Sequence, residues 1–305
     1  MSHRPQVARA VEPNVGTRRA YKRKLIKLFS DYERETMDEI LLFLAQKSLI
    51  ATDWSLSNPR NKEDKQLLRR ISKGILSAMK RDPETFKNDV EGFVAKHIFE
   101  WVTGGKTKAY KLALWVARAI ASDVSAAQRQ AYIASGVPLT VLRRKWTVPI
   151  VKQFMSPTAQ KRFPLLVEWA TNLITGMLER DTERIQQVII KSFLEGKSVS
   201  EVRKALLQTR GFNEDRATNV ALDQTNKIAH GIKVANDEDL GIEEGIWIHV
   251  AGRYTSRKTH IAMNGKKFKL KEGLYDSDVG KNVQPAECYY CRCIYRPVLN
   301  WDKLK

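Results

Sequence analysis

Residues 247–297, WIHVAGRYTSRKTHIAMNGKKFKLKEGLYDSDVGKNVQPAECYYCRCIYRP, decide how the rest of the chain is read. They hold all three cysteines of the protein (Cys288, Cys291, Cys293) and two of its five histidines (His249, His260). The Asn264-Gly265 dipeptide suits the positive φ angles of a tight turn, so 261–268 reads as a β-hairpin. Gly241 and Gly245 bracket a switch to a strand at 246–250. Gly273, Gly280 and Pro285 punctuate a loop, and 293–298 reads as a short closing strand. Asp276 and Asp278 fall on that loop, where paired carboxylates suit a cation, but a solvated loop is the favoured reading. His249 reads as a structural residue of the strand.

Working back toward the N-terminus, the pattern is helical. Residues 165–194 keep apolar positions at Leu166, Ala170, Leu173, Ile174, Met177, Leu178, Ile185, Val188, Ile189 and Phe193, which fall on one helix face. Ser198-Val199-Ser200-Glu201 matches a capping box at the start of a further helix. Another helix runs from Asn213 to about Asn236, with Val220, Ala221, Ile228 and Ile232 inward and His230 as a structural residue. Earlier helical blocks are expected at 21–48 and 62–120, the second punctuated by Pro83 and Gly104-Gly105. A turn-rich break is expected at 52–61, another at 136–138, and an irregular stretch through Pro149, Pro157 and Pro164. The fold expected is mainly α: a basic flexible arm at 1–20, a helical N-terminal region at 21–164, and a small α+β C-terminal domain with a β-hairpin at 165–305.

The chain has 305 residues, 53 Lys+Arg against 34 Asp+Glu, and a formal net charge of +19. Such a field attracts polyanions, nucleic acid first among them. An odd number of cysteines does not make a disulfide framework. The N-terminus lacks the apolar segment of a signal peptide and no apolar run is long enough to span a bilayer, so a protein of a reducing cytoplasm, without a membrane role, is expected.

Cys288, Cys291, Cys293 and His260 are ligand types found together in structural zinc sites, and the Cys-x-x-Cys step lets two thiolates converge from one turn. The Cys-x-Cys step fits one ion less well, and the competing reading is three buried thiols behaving as small hydrophobes. Arg253, Arg257, Lys258, Lys266, Lys267 and Lys269, interleaved with Tyr254 and Phe268, form a candidate phosphate-contacting set. The competing reading there is a solvated, edge-protecting face. Nothing supplies an oxyanion hole or an orienting third group for a Cys-His nucleophile. No phosphate-binding Gly-rich loop or dinucleotide fingerprint occurs, so a catalytic role is not expected.

Several elements in order carry a resemblance. Arg216-Ala217 leads to Asp223-Gln224-Thr225-Asn226. Gly241, Trp247, Ser256-Arg257-x-Thr259-His260 and Asn264-Gly265-Lys266 follow. Pro285 and Cys291-Arg292-Cys293 complete the series. Over about 165–300 the chain resembles the phage Mu F-like minor head protein family. Gly252-Arg253 stand where an acidic residue commonly precedes the Arg-x-x-His element, which is a departure. The resemblance implies a virion protein present in few copies, made in the host cytoplasm, working at the portal in head assembly and DNA packaging. Portal, capsid or scaffold protein and double-stranded DNA are its implied partners. The rival expectation is a phosphate-substrate enzyme such as a nuclease, using His260, Arg257 and the Cys-rich end.

Overall fold

The computed structural model describes residues 6–47, 83–195, 214–251 and 256–304, with single positions at 201, 204, 205 and 208 between them. Helix α1 is Val15–Lys47 and α2 is Pro83–Ala134. A short α3 (Leu139–Lys145) leads into the paired strands β2 (Val148–Ile150) and β3 (Gln153–Met155). Helix α4 is Pro157–Leu194 and α5 is Glu214–Asp239. The remainder alternates: β4 (Glu244–Ile248), α6 (Lys258–Met263), β5 (Lys267–Lys269), β6 (Leu274–Asp276), β7 (Lys281–Val283) and β8 (Ile294–Leu299). The mainly α class with a small α+β end is therefore observed. Among the described residues, no helix is long and apolar enough to cross a membrane.

Two compact units divide the chain. The first comprises residues 1–23, 110–171 and 215–305; the second comprises 24–109 and 172–214. The expected border at 164/165 falls inside α4. In the first unit a strand β1 (Gln6–Val7) joins β8, and an antiparallel sheet forms in the order β1-β8-β4-β5. The core of this unit is built from Ala8, Tyr132, Leu142, Trp146, Trp247, Phe268, Leu270, Cys293, Tyr295 and Leu299 among others. The second unit buries Leu25, Phe29, Tyr32, Ile174, Met177, Leu178 and Ile185, and Lys108 pairs with Glu35 at 3.1 Å on its surface.

Several sequence expectations are corrected. Residues 6–20 are not a free arm: Gln6 and Val7 pair with Leu299 and Val298, Ala8 and Val11 are buried, and α1 starts at Val15 behind an Asn14 cap. The Asn14 carboxamide oxygen accepts from the N–H groups of Gly16 (2.7 Å) and Thr17 (3.2 Å). Gly104-Gly105 lies inside α2 and Pro164 inside α4. Pro157 instead occupies the first helical position, where its missing N–H costs nothing, with the Ser156 hydroxyl accepting from the Ala159 N–H at 3.1 Å.

The hairpin expected at 261–268 is replaced by helix α6 and a turn. Asn264 has φ −56° and ψ 129°, Gly265 has φ 80°, and the Lys266 N–H bonds to the Met263 carbonyl at 2.9 Å. These angles describe a type II turn, which splays flanking segments rather than closing a two-residue hairpin. Strand β5 pairs with β4 instead. The loop expected beyond Gly273 contains a real hairpin, β6 with β7. The expected capping box at 198–201 and the break at 52–61 lie outside the described residues, apart from Glu201.

Helix α5 lies at the centre of the first unit. Besides Ala217, Ala221, Ile228 and Ile232 it buries Asp223, Gln224, Thr225, Asn226, Lys233, Asn236 and Asp237. Buried polar groups need partners, and these have them from several segments. Asp237 accepts from Gln128 Nε2 (2.8 Å), from the Tyr295 hydroxyl (2.6 Å) and from the Tyr132 hydroxyl. Lys233 donates to the Val11 carbonyl at 3.1 Å and lies over the Tyr295 ring. Burial pushes the Asp237 carboxyl up to about 6 and the Lys233 ammonium down to about 8, while their mutual attraction opposes both shifts.

Candidate functional site

Three segments converge beside α5. Strand β4 delivers Trp247 and, just beyond its end, His249. The single-turn-and-a-half helix α6 delivers His260. The segment that enters β8 delivers Cys291 and Cys293. Hairpin β6–β7 closes over them with Asp276 at the end of β6. The tight supports are local: the His249 N–H donates to the Asn264 side-chain oxygen at 2.9 Å, and the Gly265 N–H donates to the Trp247 carbonyl at 2.8 Å. The Asn264-Gly265 turn thereby ties the end of β4 to the end of α6.

His260 is 2% exposed and Asp276 0%. Its Nε2 lies 3.0 Å from Asp276 Oδ2. Its Nδ1 faces Cys291 Sγ at 3.4 Å and Cys293 Sγ at 3.6 Å. On the other side of Cys293, His249 Nδ1 is 3.5 Å from the sulfur, and His249 Nε2 lies 3.1 Å from the Ser256 hydroxyl. Trp247 stands edge-on to His260, with ring centroids 5.5 Å apart. The ligand atoms of His260, Cys291 and Cys293 all lie within 4.8 Å of one another, and so do those of His260, Asp276 and Cys288. Cys288 thus falls in a second grouping, on the carboxylate rather than between the other two thiols.

The electrostatics follow from these contacts. The bond with Cys291 is the largest influence raising His260, burial opposes it, and Asp276 adds to the rise. Burial works to raise the Asp276 carboxyl, but the Asp278 N–H at 2.9 Å, the Thr259 hydroxyl and His260 together hold it below its ordinary value. The Cys291 thiol is pushed up by its bond with Cys293 and by burial, and the same bond pulls Cys293 down. Burial raises Cys288, with Arg257 opposing. Asp276 is therefore no solvated loop carboxylate; the hairpin buries it against His260.

The cysteine segment is clamped to α5 by the Asp223-Gln224-Thr225-Asn226 run. Asp223 Oδ1 accepts the Tyr290 N–H at 2.9 Å, holding Tyr290 at φ 58°, and Asn226 Nδ2 donates to the Cys291 carbonyl at 3.1 Å. Arg18 then donates to Thr225 (3.1 Å) and Asn226 (3.0 Å), and the Tyr21 hydroxyl bonds to Gln224. Arg257 gives its guanidinium to the Tyr289 carbonyl at 3.1 Å, and Arg292 reaches the Ala251 carbonyl at 3.4 Å.

The basic candidates are distributed differently. Arg253 lies outside the described residues. Lys258 and Lys266 are exposed. Lys267 and Lys269 are exposed on the edge strand β5 and pair with Glu244 (2.5 Å) and Glu272 (2.9 Å). Lysines on an edge strand discourage pairing with another chain, whatever else they do. Sequence reasoning placed Asp276 on a solvated loop and Asp223–Asn226 in a resemblance, and foresaw neither the His260 contact nor the clamp on the cysteine segment. The available signal for the clamp was a run of four polar residues, DQTN, across a helix whose neighbours are apolar.

Comparison with known proteins finds a family and a distant relative. Residues 183–296 match the model of the family described as "Phage Mu protein F like protein". An uncharacterized protein of Haemophilus influenzae is 22% identical over 145 residues, which are 48% of this chain and 31% of that protein. The chain thus spans under a third of this relative's length. No solved structure matches.

Proposed function

We propose, from the match of residues 183–296 to the Phage Mu protein F like family, that this chain is a minor head protein of a tailed bacteriophage. In this reading it acts at the portal during head morphogenesis and DNA packaging and is carried in the virion. Portal protein, or capsid or scaffold protein, is the partner, and double-stranded DNA is contacted through the basic surface. The family match is the observation that carries the reading. The net charge of +19 supports proximity to packaged DNA, since lysine and arginine side chains displace condensed counterions from phosphates.

The site supports an architectural use of its family motifs. Arg257, Asn264, Gly265 and Asn226 all spend their polar groups on backbone or side-chain ties within the domain. His260, Cys291 and Cys293 are buried. A nuclease needs its general base within hydrogen-bond reach of substrate. The enzymatic reading therefore has less support than the assembly reading.

Co-expression of the chain with a portal protein and a major capsid protein from the same genome provides the test. A complex that survives gel filtration at moderate salt is expected. Separate elution from both the portal and the major capsid protein would contradict the proposal.

A further inference from the structure

We propose that His260 Nδ1, Cys291 Sγ and Cys293 Sγ are ligands of one structural zinc ion, that His249, whose Nδ1 touches Cys293 Sγ but stands outside the group formed by the other three, turns in as the fourth ligand, and that Asp276 is the carboxylate that orients His260. Three observations independent of the family carry this.

The first is distance. Tetrahedral zinc holds sulfur at about 2.3 Å and imidazole nitrogen at about 2.05 Å, which places neighbouring N and S ligands about 3.5–3.6 Å apart. The three N···S separations here are 3.4, 3.6 and 3.5 Å. The second is the count of lone pairs. His260 Nδ1 has one, yet two sulfurs face it. A thiol S–H can satisfy that nitrogen only once, and the remaining sulfur contacts stay within the cluster, to the neighbouring thiol and to His249, whereas a single metal ion accounts for all of them together.

The third is the outer contact. Asp276, fully buried, lies 3.0 Å from His260 Nε2, which leaves Nδ1 as the ring nitrogen that faces the sulfurs. A ligating histidine typically has its other nitrogen held in this way by a carboxylate.

The donor set of two thiolates and two imidazoles suits zinc, which prefers four borderline ligands and a closed tetrahedral shell. Its ligands come from the end of β4, from α6 and from the entry to β8. An ion there ties together segments that are short and separately weak. The set differs from the Cys288, Cys291, Cys293 and His260 combination that spacing alone suggests. Cys288 is replaced by His249, because the turn after Pro285 carries Cys288 toward Asp276.

The inference does not depend on the head-protein reading. Its test uses the full chain, purified without a histidine tag under reducing conditions and supplied with zinc before dialysis. Elemental analysis is expected to find about one zinc per chain. Cobalt in its place is expected to give the d–d bands of a tetrahedral ion and a thiolate charge-transfer band that about halves in Cys291→Ser. Cys293→Ser is expected to lower zinc affinity tenfold or more, by competition with a chelator. Should the cysteine variants not fold, His249→Gln and Cys288→Ser decide the question. The former is expected to weaken zinc at least tenfold with the circular dichroism spectrum intact, and the latter to keep full stoichiometry. Substoichiometric zinc in the reduced, zinc-supplied wild type would overturn the proposal. So would zinc retained unchanged in His249→Gln, or lost in Cys288→Ser.

Discussion

Gly273 offers a direct check on how β6 is held over the site. It has φ +76°, and a Cβ there would lie 2.3 Å from the Val283 carbonyl oxygen and 2.9 Å from the Val283 carbonyl carbon. Both atoms are backbone of β7, and Val283 is paired with Leu274 in the hairpin, so neither can swing aside as a side-chain end could. Gly280, in the same hairpin, has φ +75° and nothing within 4 Å of its would-be Cβ. The two glycines therefore share a conformational cost and differ in steric cost. Gly280→Ala is expected to cost about 1–2 kcal/mol for the left-handed backbone. Gly273→Ala bears that cost plus about 1–3 kcal/mol of overpacking, or about 2–5 kcal/mol in all. At roughly 2–4 °C per kcal/mol for a protein of this size, the melting temperature should fall by roughly 4–20 °C in Gly273→Ala and by roughly 2–8 °C in Gly280→Ala. Because β6 ends at Asp276, the nitrogen resonances of His260 should shift in the first variant and not in the second. Equal melting temperatures for the two variants, or an unmoved His260 in Gly273→Ala, would refute the placement of this hairpin.

Other expectations are as specific. Asp237 should titrate near pH 6 in the folded chain, read from its side-chain carboxyl carbon shift. A pKa raised on folding contributes stability that is present in full below the ordinary value of 3.8 and is lost as pH rises toward 6, so stability from this group falls across that window by up to about 1.4 kcal/mol per pH unit. Tyr295→Phe removes a bond to the charged form and should move the midpoint higher. A fragment beginning at residue 165 lacks Gln128 and Tyr132, two partners of Asp237, and the core residues Leu142 and Trp146. It should lose the cooperative thermal transition of the full chain; a sharp transition within a few degrees of the full chain would count against the discontinuous unit. Binding to double-stranded DNA should weaken steeply with salt, and replacing the exposed Lys258 and Lys266 by Ala should lower the log–log slope by about 0.9 for each phosphate no longer neutralised. A slope unchanged in the double variant would remove these two lysines from the interface.

The parts of the fold that rest on local pattern were legible in the sequence. The apolar stripe of 165–194, the strand before His249 and the closing strand after Cys293 each announce themselves within a few residues, and each forms. The parts that rest on distant partners were not. Asn264-Gly265 marks a turn truthfully, but a dipeptide does not say whether the preceding segment pairs as a strand or coils as a helix. That choice is made by β4, which takes β5 as its neighbour. Val7 and Ala8 look like part of a polar tail until β8 offers them a sheet edge nearly three hundred residues away. Asp276 reads as a loop carboxylate because its burial depends on α6 lying beneath the β6–β7 hairpin. The polar run Asp223-Gln224-Thr225-Asn226 has a purpose only once the cysteine segment is beside it.

Mass spectrometry of purified, nuclease-treated phage heads recovered from the strain that carries the gene for this chain tests the proposed head-protein role most directly. The expected result is that the chain is a stoichiometric minor component of those heads, and that heads assembled without it show a defect in assembly or DNA content. Heads that lack the chain entirely yet package DNA normally would contradict it.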